Sequence, residues 1–397
     1  MKLSQFTRQL KPSETLAIST KAKTLRAQGR NIVDFGLGEP DFATPGNIIR
    51  AAEHAMAEGF TKYTPPAGLP ALRRAIAEKL KRENGLDYAP EQVIVSCGAK
   101  QALYNVAMVL IDAGDEVLIP GPYWVTYPTQ VILAGGIPVI LPTTAAEDFK
   151  ITPEMLRRAI TPRTRGIILN SPCNPTGVVY SPTELAALAN VLAETDLFII
   201  TDEIYEHIIY DGLKQVSIAT LHPALKERTI VVNGFSKAYS MTGWRLGYCA
   251  GPRDVIEMCD RLQSQTTSNP TAFAQVAGIE ALTGPQESVQ TMAQAFEERR
   301  NFVVQRLNAI PGIRSNTPQG AFYIFPQIDG LFGKRAGGTL LTTSAAVADY
   351  LLEAAGVAVV PGDAFGDDHY MRISYASSMA ELEDGLARID RAVQQLV

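Results

Sequence analysis

Cysteine and histidine are scarce in this chain, with four of each among 397 residues. Cys97, Cys173, Cys249 and Cys259 show no CxxC spacing and have no histidines beside them, so nothing points to a zinc site and they read as buried free thiols. His54, His207, His222 and His369 are scattered, with none paired on a helical face, which leaves neither a metal centre nor a Ser-His-Asp triad easy to assemble. Long apolar runs are missing as well: nothing reaches the roughly 18 residues that span a bilayer. Residues 1–13, MKLSQFTRQLKPS, lack the apolar centre of a secretory leader, and the reading is a cytoplasmic protein. A large excess of charge of one sign is also absent. A net charge of -5 gives no cue for nucleic acid or an anionic membrane. With no internal repeat and no low-complexity tail, what remains is chemistry on a small molecule.

The chain has ample material for a core: 46% of it is hydrophobic and 19% charged. Its length exceeds what one simple core serves, so two domains are expected. Strand patterns at 92–96, 116–119, 137–141, 166–169, 197–201, 229–232 and 246–250 alternate with helical segments, predicting a doubly wound, mainly parallel α/β sheet. Thr44 and Pro45 read as the N-cap and first residue of a helix running to Gly59. Beyond Thr283-Gly284-Pro285 the texture changes to a long charged helix, 286–308, followed by strands at 321–325, 357–360 and 371–374 and helices at 344–355 and 378–396. The expected division is a large domain, 46–284, and a smaller α+β domain made of 1–45 and 285–397.

The polar residues gather where the large-domain strands end. In open α/β sheets ligands bind outside the carboxyl ends of the strands. After 229–232 comes a loop carrying Ser236, Lys237, Thr242 and Arg245. Alone, a lysine beside a hydroxyl describes any solvated loop; its company changes the reading. After 92–96, Cys97-Gly98-Ala99-Lys100 opens a helix with small residues, so bare N–H groups at a positive helix end can hold a phosphate. After 166–169 a proline-rich turn presents Asn174, and after 197–201 come Asp202 and Tyr205. A phosphate cup, an amide, a carboxylate, a phenol, an arginine and a lysine on one sheet edge match a phosphorylated heteroaromatic aldehyde. Lysine can condense with the aldehyde, and a buried carboxylate can keep a pyridine nitrogen protonated. Pyridoxal 5′-phosphate is the cofactor that this inventory predicts.

The segments SPCNPTG, DEIYE and NGFSKAYSMTGWRLGY, in this order, resemble those of the fold-type I pyridoxal-phosphate aminotransferases of class I/II, and the resemblance covers essentially the whole chain. KPSET, GLGEPDF, KYTPPAG, GAKQALYN, GPYWVTYP and MRISYA are similar to the bacterial aspartate aminotransferases of subgroup Ib. The resemblance implies that Lys237 carries the cofactor and moves the proton, that Asp202 pairs with the ring nitrogen, and that Asn174 and Tyr205 bond the ring oxygen while Trp124 stacks on the ring. It assigns the phosphate to Gly98, Ala99, Ser236 and Arg245, with Tyr63 reaching in from the second subunit of a homodimer. For the substrate it implies Arg372 on the α-carboxylate, helped by the Gly38 N–H, Trp124 and Asn174, and Lys100 on a side-chain carboxylate. Lys11 matches a position that supports prephenate transamination in some relatives.

The activity expected from these roles is transfer of an amino group from L-aspartate to 2-oxoglutarate by ping-pong chemistry, with an amino acid and a 2-oxo acid as the only partners besides a second copy. Three rivals stay open at this stage: a bifunctional aspartate/prephenate aminotransferase, a pyridoxal-phosphate lyase of the same fold, and a non-catalytic binding module. An assay without an oxo-acid acceptor separates the lyase, and the lack of a basic DNA-binding segment speaks against the last.

Overall fold

The computed structural model describes Met1 and residues 14–397. At its centre lies a seven-stranded sheet in the order Val93–Ser96, Gly247–Ala250, Thr229–Gly234, Phe198–Asp202, Thr164–Asn170, Glu116–Pro120, Ile137–Leu141. Every neighbouring pair is parallel except the two made by Gly247–Ala250, which runs against both its neighbours. The C-terminal ends of six strands and the start of the seventh therefore share one edge.

Period-two side-chain alternation explains why the sheet is covered on both faces. Ile168, Ile200, Ile230 and Val232 point to one side and pack with Leu103, Val106, Val131, Ile256 and Cys259 of the helices Ala99–Leu110, Thr126–Leu133 and Arg253–Thr266. Val93, Val95, Val231 and Tyr248 point to the other, against Ile48, Leu72, Ile76, Ala277 and Ala281 of Gly46–Ala57, Pro70–Asn84 and Ala272–Thr283. Burial of each such Val, Ile or Leu contributes about 1.5–3 kcal/mol. Helix starts follow local chemistry. Ser181 and Ser378 each cap the third helical amide while Glu184 and Glu381 reach back to the cap N–H, two reciprocal capping boxes that open Pro182–Ala193 and Met379–Gln394.

A second region joins both ends of the described chain. Val33–Asp34 pairs in parallel with Val357–Ala358, and Val360–Pro361, Met371–Ser374 and Tyr323–Ile324 form an antiparallel sheet. The helices Glu287–Asn308 and Met379–Gln394 cover a core that includes Phe35, Phe296, Phe322, Leu386 and Ile389.

Four expectations need correction. The strand expected at 357–360 is two short strands in different sheets, because its two halves take different partners, 33–34 and 371–372. The strand expected at 321–325 shrinks to Tyr323–Ile324, since Ala321 sits at φ 56°, outside extended geometry. Pro45 precedes the helix rather than opening it, at ψ 139°, and Thr44 does not cap. Its hydroxyl is engaged instead, donating to Ser240 O at 2.7 Å and accepting from Trp244 Nε1 at 3.0 Å. Of the cysteines, Cys249 and Cys259 are buried and all four are free, but Cys97 and Cys173 are only partly covered.

Candidate active site

A cavity of about 400 Å³ opens at the shared strand edge, lined by residues from nine separate chain segments. Lys237, Asp202, Tyr205, Asn174, Ser236, Arg245, Ala99, Lys100, Trp124, Gly38 and Arg372 all border it. Gly98 lies just behind Ala99 as the residue preceding the helix Ala99–Leu110. Tyr63 is not on the wall; its side chain is 91% exposed. Lys11 lies outside the described residues.

Asp202 ends its strand buried at 3% exposure. Its Oδ2 accepts from the Tyr127 hydroxyl at 2.8 Å and its Oδ1 from the Ile204 N–H at 3.2 Å. Loss of water pushes its carboxyl up to about 6, held from rising further by the Tyr127 bond, the Ile204 amide and the charge of Lys237. On the neighbouring strand, Asn170 sits in register with Asp202 and donates from Nδ2 to its carbonyl at 2.9 Å, while its Oδ1 takes the Asn174 N–H at 2.8 Å. Strand register thus carries the turn that presents Asn174.

Lys237 follows the end of Thr229–Gly234, and its Nζ donates to the Gly38 carbonyl. The rings of Tyr205 and Phe322 lie 5.9 and 5.7 Å from that nitrogen. Burial, then the positive charge of Arg372, depress its amine to about 8. An amine in that range is uncharged often enough near neutrality to act as nucleophile or base. Tyr205 meets Tyr323 hydroxyl to hydroxyl at 2.9 Å, and burial pushes its phenol far above its usual value.

Arg372 is 2% exposed and has no carboxylate partner among the described residues. Nη1 donates to Asn174 Oδ1 at 3.0 Å, Nη2 to the Gly36 carbonyl at 2.8 Å, and the guanidinium lies over the Tyr323 ring at 4.5 Å. Its Nε is buried without a partner. Lys100 stands over the Trp124 ring at 4.7 Å, and burial lowers its amine, with Arg245 adding to the effect.

The strand-to-helix corner explains its glycines. Gly98 has φ 86°, and a Cβ there would stand 2.5 Å from Arg245 Nη2; a Cβ on Gly247 would stand 2.2 Å from the Ala99 nitrogen. The guanidinium of Arg245 and the first amides of a 12-residue helix are thereby brought together across bare backbone. Those amides have no partner inside the helix, which makes the corner a ready anion cradle.

Sequence reading missed several wall residues: Tyr127, Asn170, Tyr323, Ser19, Lys23 and Glu39. Tyr127 lay in the GPYWVTYP segment already singled out, and Glu39 in GLGEPDF, where its Oε2 accepts from Thr242 Oγ1 at 2.9 Å.

Lys100, Lys237, Arg245 and Arg372 border one cavity, and none of them pairs with a carboxylate among the described residues. Such an arrangement calls for an anionic ligand. The sequence profile of the family "Aminotransferase class I and II" matches residues 30–389. The chain belongs to this family. It is 52% identical to an aspartate aminotransferase of Geobacillus stearothermophilus over 99% of both chains. An aspartate/prephenate aminotransferase of Cereibacter sphaeroides is 50% identical over 98% of this chain and 97% of its own. Among solved structures, the aspartate aminotransferase of Rhizobium meliloti superimposes with a TM-score of 0.96 at 45% identity over the whole of both chains. That of Thermus thermophilus with maleate gives 0.93 at 44%, covering 99% of this chain and all of the other.

As a class I and II aminotransferase the chain is a pyridoxal-phosphate enzyme, with the α/β architecture of fold-type I. The donor set fits that group. A cradle kept free of Cβ atoms suits a phosphate, a buried carboxylate suits a pyridinium nitrogen, and a partly discharged lysine suits an aldehyde. Among the described residues no helix is long and apolar enough to cross a membrane, and no group of three or more His, Cys, Asp or Glu could hold a metal ion.

Proposed function

We propose that this aminotransferase takes its amino group from L-aspartate and delivers it to 2-oxoglutarate, in two half-reactions at one site. The carrying observation is the surplus of cations in the cavity. Beyond Lys237 and the Arg245 corner, Arg372 and Lys100 remain, enough for the two carboxylates of a dicarboxylic acid. The names of the relatives, aspartate aminotransferase and aspartate/prephenate aminotransferase, agree with that choice.

In this reading Gly98, Ala99, Ser236 and Arg245 hold the phosphate, Asn174 and Tyr205 face the ring oxygen, and Trp124 covers the ring. When bound, pyridoxal phosphate supplies a protonated ring that withdraws electrons from the substrate Cα–H bond. Asp202 keeps the proton on the ring nitrogen. Arg372 clamps the α-carboxylate through its two-pronged guanidinium, with the Gly38 N–H and Asn174 alongside. Lys100 takes the distal carboxylate. Lys237, with its amine lowered by burial, would hold and give back the substrate's Cα proton at Nζ, so that the site would need no other base.

The arrangement we propose around the site is a large domain, 46–284, closed by a small one formed by 285–397 and the N-terminal residues up to 45. Two copies associate, and the exposed Tyr63 of each reaches the phosphate of the other. A cytoplasmic location accords with a cofactor and substrates that are small metabolites.

The test is an absorbance scan of the purified holoprotein. Adding L-aspartate alone converts the lysine-bound chromophore to the amine form of the cofactor, and 2-oxoglutarate restores it. Ammonia release without an acceptor, or no spectral change, refutes the transfer reaction. A second reading, use of prephenate as an additional acceptor, is favoured by the relative from Cereibacter sphaeroides. It predicts turnover with prephenate and an amino donor, reduced by Lys11→Ala.

A further inference from the structure

We propose that Tyr127 is a positioning residue of the reaction: its hydroxyl, donated to Asp202 Oδ2 at 2.8 Å, keeps that carboxylate ionised and aimed at the ring nitrogen. The inference rests on the reading of Asp202 as the ring-nitrogen partner.

Tyr127 belongs to the helix Thr126–Leu133, is 3% exposed, and borders the same cavity as Asp202. Its ring is fixed edge-on against Trp124, with centroids 5.4 Å apart at 83°, so the hydroxyl has little freedom to leave the carboxylate. A carboxylate offers about four lone-pair sites. The protein fills one on each oxygen, through Tyr127 and the Ile204 N–H, which leaves capacity on the same group for a donor in the cavity.

The phenol can only donate here. Burial and the facing carboxylate push its own ionisation far above the usual value, so it remains an O–H at every pH at which the protein works. The other titratable groups around Asp202 are the Lys237 amine from the loop after its neighbouring strand, the Cys173 thiol from the adjacent turn, and the Tyr205 phenol three residues on. Burial raises the Asp202 carboxyl, and of the influences that oppose burial the Tyr127 bond is the largest. Without the hydroxyl the Asp202 carboxyl rises further, and its negative charge is less available to hold a proton on the ring nitrogen.

The experiment uses the full-length protein stripped of cofactor. Binding of pyridoxal phosphate, and of an analogue whose ring nitrogen is replaced by carbon, is titrated between about pH 5.5 and 8.5 for the wild type, Tyr127→Phe and Asp202→Ala. Tyr127→Phe is expected to lose about 10- to 100-fold in affinity for pyridoxal phosphate, the size of one hydrogen bond to a charged group. It should bind the carbon analogue about as well as the wild type does. Its acid limb of binding should also move to higher pH. If Tyr127→Phe loses both cofactors equally while Asp202→Ala still discriminates between them, Tyr127 is only a packing residue and the proposal fails. If Asp202→Ala does not discriminate either, the role of Asp202 falls and takes this inference with it.

Discussion

Replacing Arg372 by leucine tests the substrate end of the site. The side chain is buried, spans Asn174 Oδ1 at 3.0 Å and the Gly36 carbonyl at 2.8 Å, and lies against Tyr323 and Phe365 with its charge 4.5 and 5.0 Å from the ring centroids. Leucine keeps apolar contact with the rings and removes the charge. A guanidinium fork on a carboxylate makes two charge-assisted bonds worth about 1.5–3 kcal/mol each, so their loss removes about 3–6 kcal/mol, or roughly 10²- to 10⁴-fold in kcat/KM. Stability should change much less. Burial already lowers the guanidinium below its ordinary value, so relief from burying that charge offsets the two acceptors left without a donor. The assay is kcat/KM for L-aspartate beside the single-turnover rate for an amine with no α-carboxylate, together with Tm. The first should collapse while the second holds. Equal losses for both amines, or no loss for aspartate, would falsify the assignment of Arg372 to the α-carboxylate.

Three further outcomes are expected. Capture of cofactor by the stripped protein requires an uncharged Lys237, so its rate rises with pH through a limb near 8; Arg372→Leu removes a depressing charge and moves that limb upward, as stopped-flow absorbance would show. An unmoved limb denies that Arg372 acts on Lys237. Lys100→Ala should cut kcat/KM for L-aspartate by about 10- to 100-fold and leave L-alanine nearly unchanged, and equal losses take Lys100 out of specificity. Lys79→Met should destabilise the fold by about 3–5 kcal/mol, because it strands a buried carboxylate. Glu206 is held down to about 2 against its burial chiefly by Lys79, with Asn84 and Asn233 donating at 2.6 Å each. Adding Glu206→Leu should recover much of that loss, and a single-variant change below about 1 kcal/mol in chemical denaturation contradicts the account.

What could be read from the sequence was local. Thr229–Gly234 declares itself as a buried strand through its β-branched residues, and the polar residues after it must then lie at a strand end, which is why Lys237 was legible. The same grammar located Asp202 and the glycine corner at 98. Direction was not legible: Gly247–Ala250 has the apolar pattern of its neighbours, and nothing in a period of two says that it runs antiparallel. Nor does sequence carry tertiary contacts of the backbone. The carbonyls of Gly36 and Gly38, which take the Arg372 guanidinium and the Lys237 amine, have no side-chain signature. Tyr127 meets Asp202 across 75 residues, and a tyrosine after an apolar turn looks like any packing aromatic until the sheet edge brings the two together.

These unread contacts are what turn a group of reactive residues into a site. Five cations, Lys23 among them, border one cavity and repel one another, and burial alone would drive Lys237 and Arg372 toward neutrality. Neutral acceptors hold them instead: the Gly36 and Gly38 carbonyls, the Asn174 side chain and the faces of Tyr323 and Trp124. Carboxylates in those places would have formed internal ion pairs and left nothing for a ligand to neutralise. The loop from Asp34 to Glu39 is central to this balance, since it touches Arg372, Lys237 and Thr242 in succession while Asp34 Oδ1 fixes its Gly36 N–H at 2.9 Å. Unsatisfied positive charge, kept in place by uncharged partners, is therefore the property that the fold supplies and that an anionic cofactor and a dicarboxylic substrate complete.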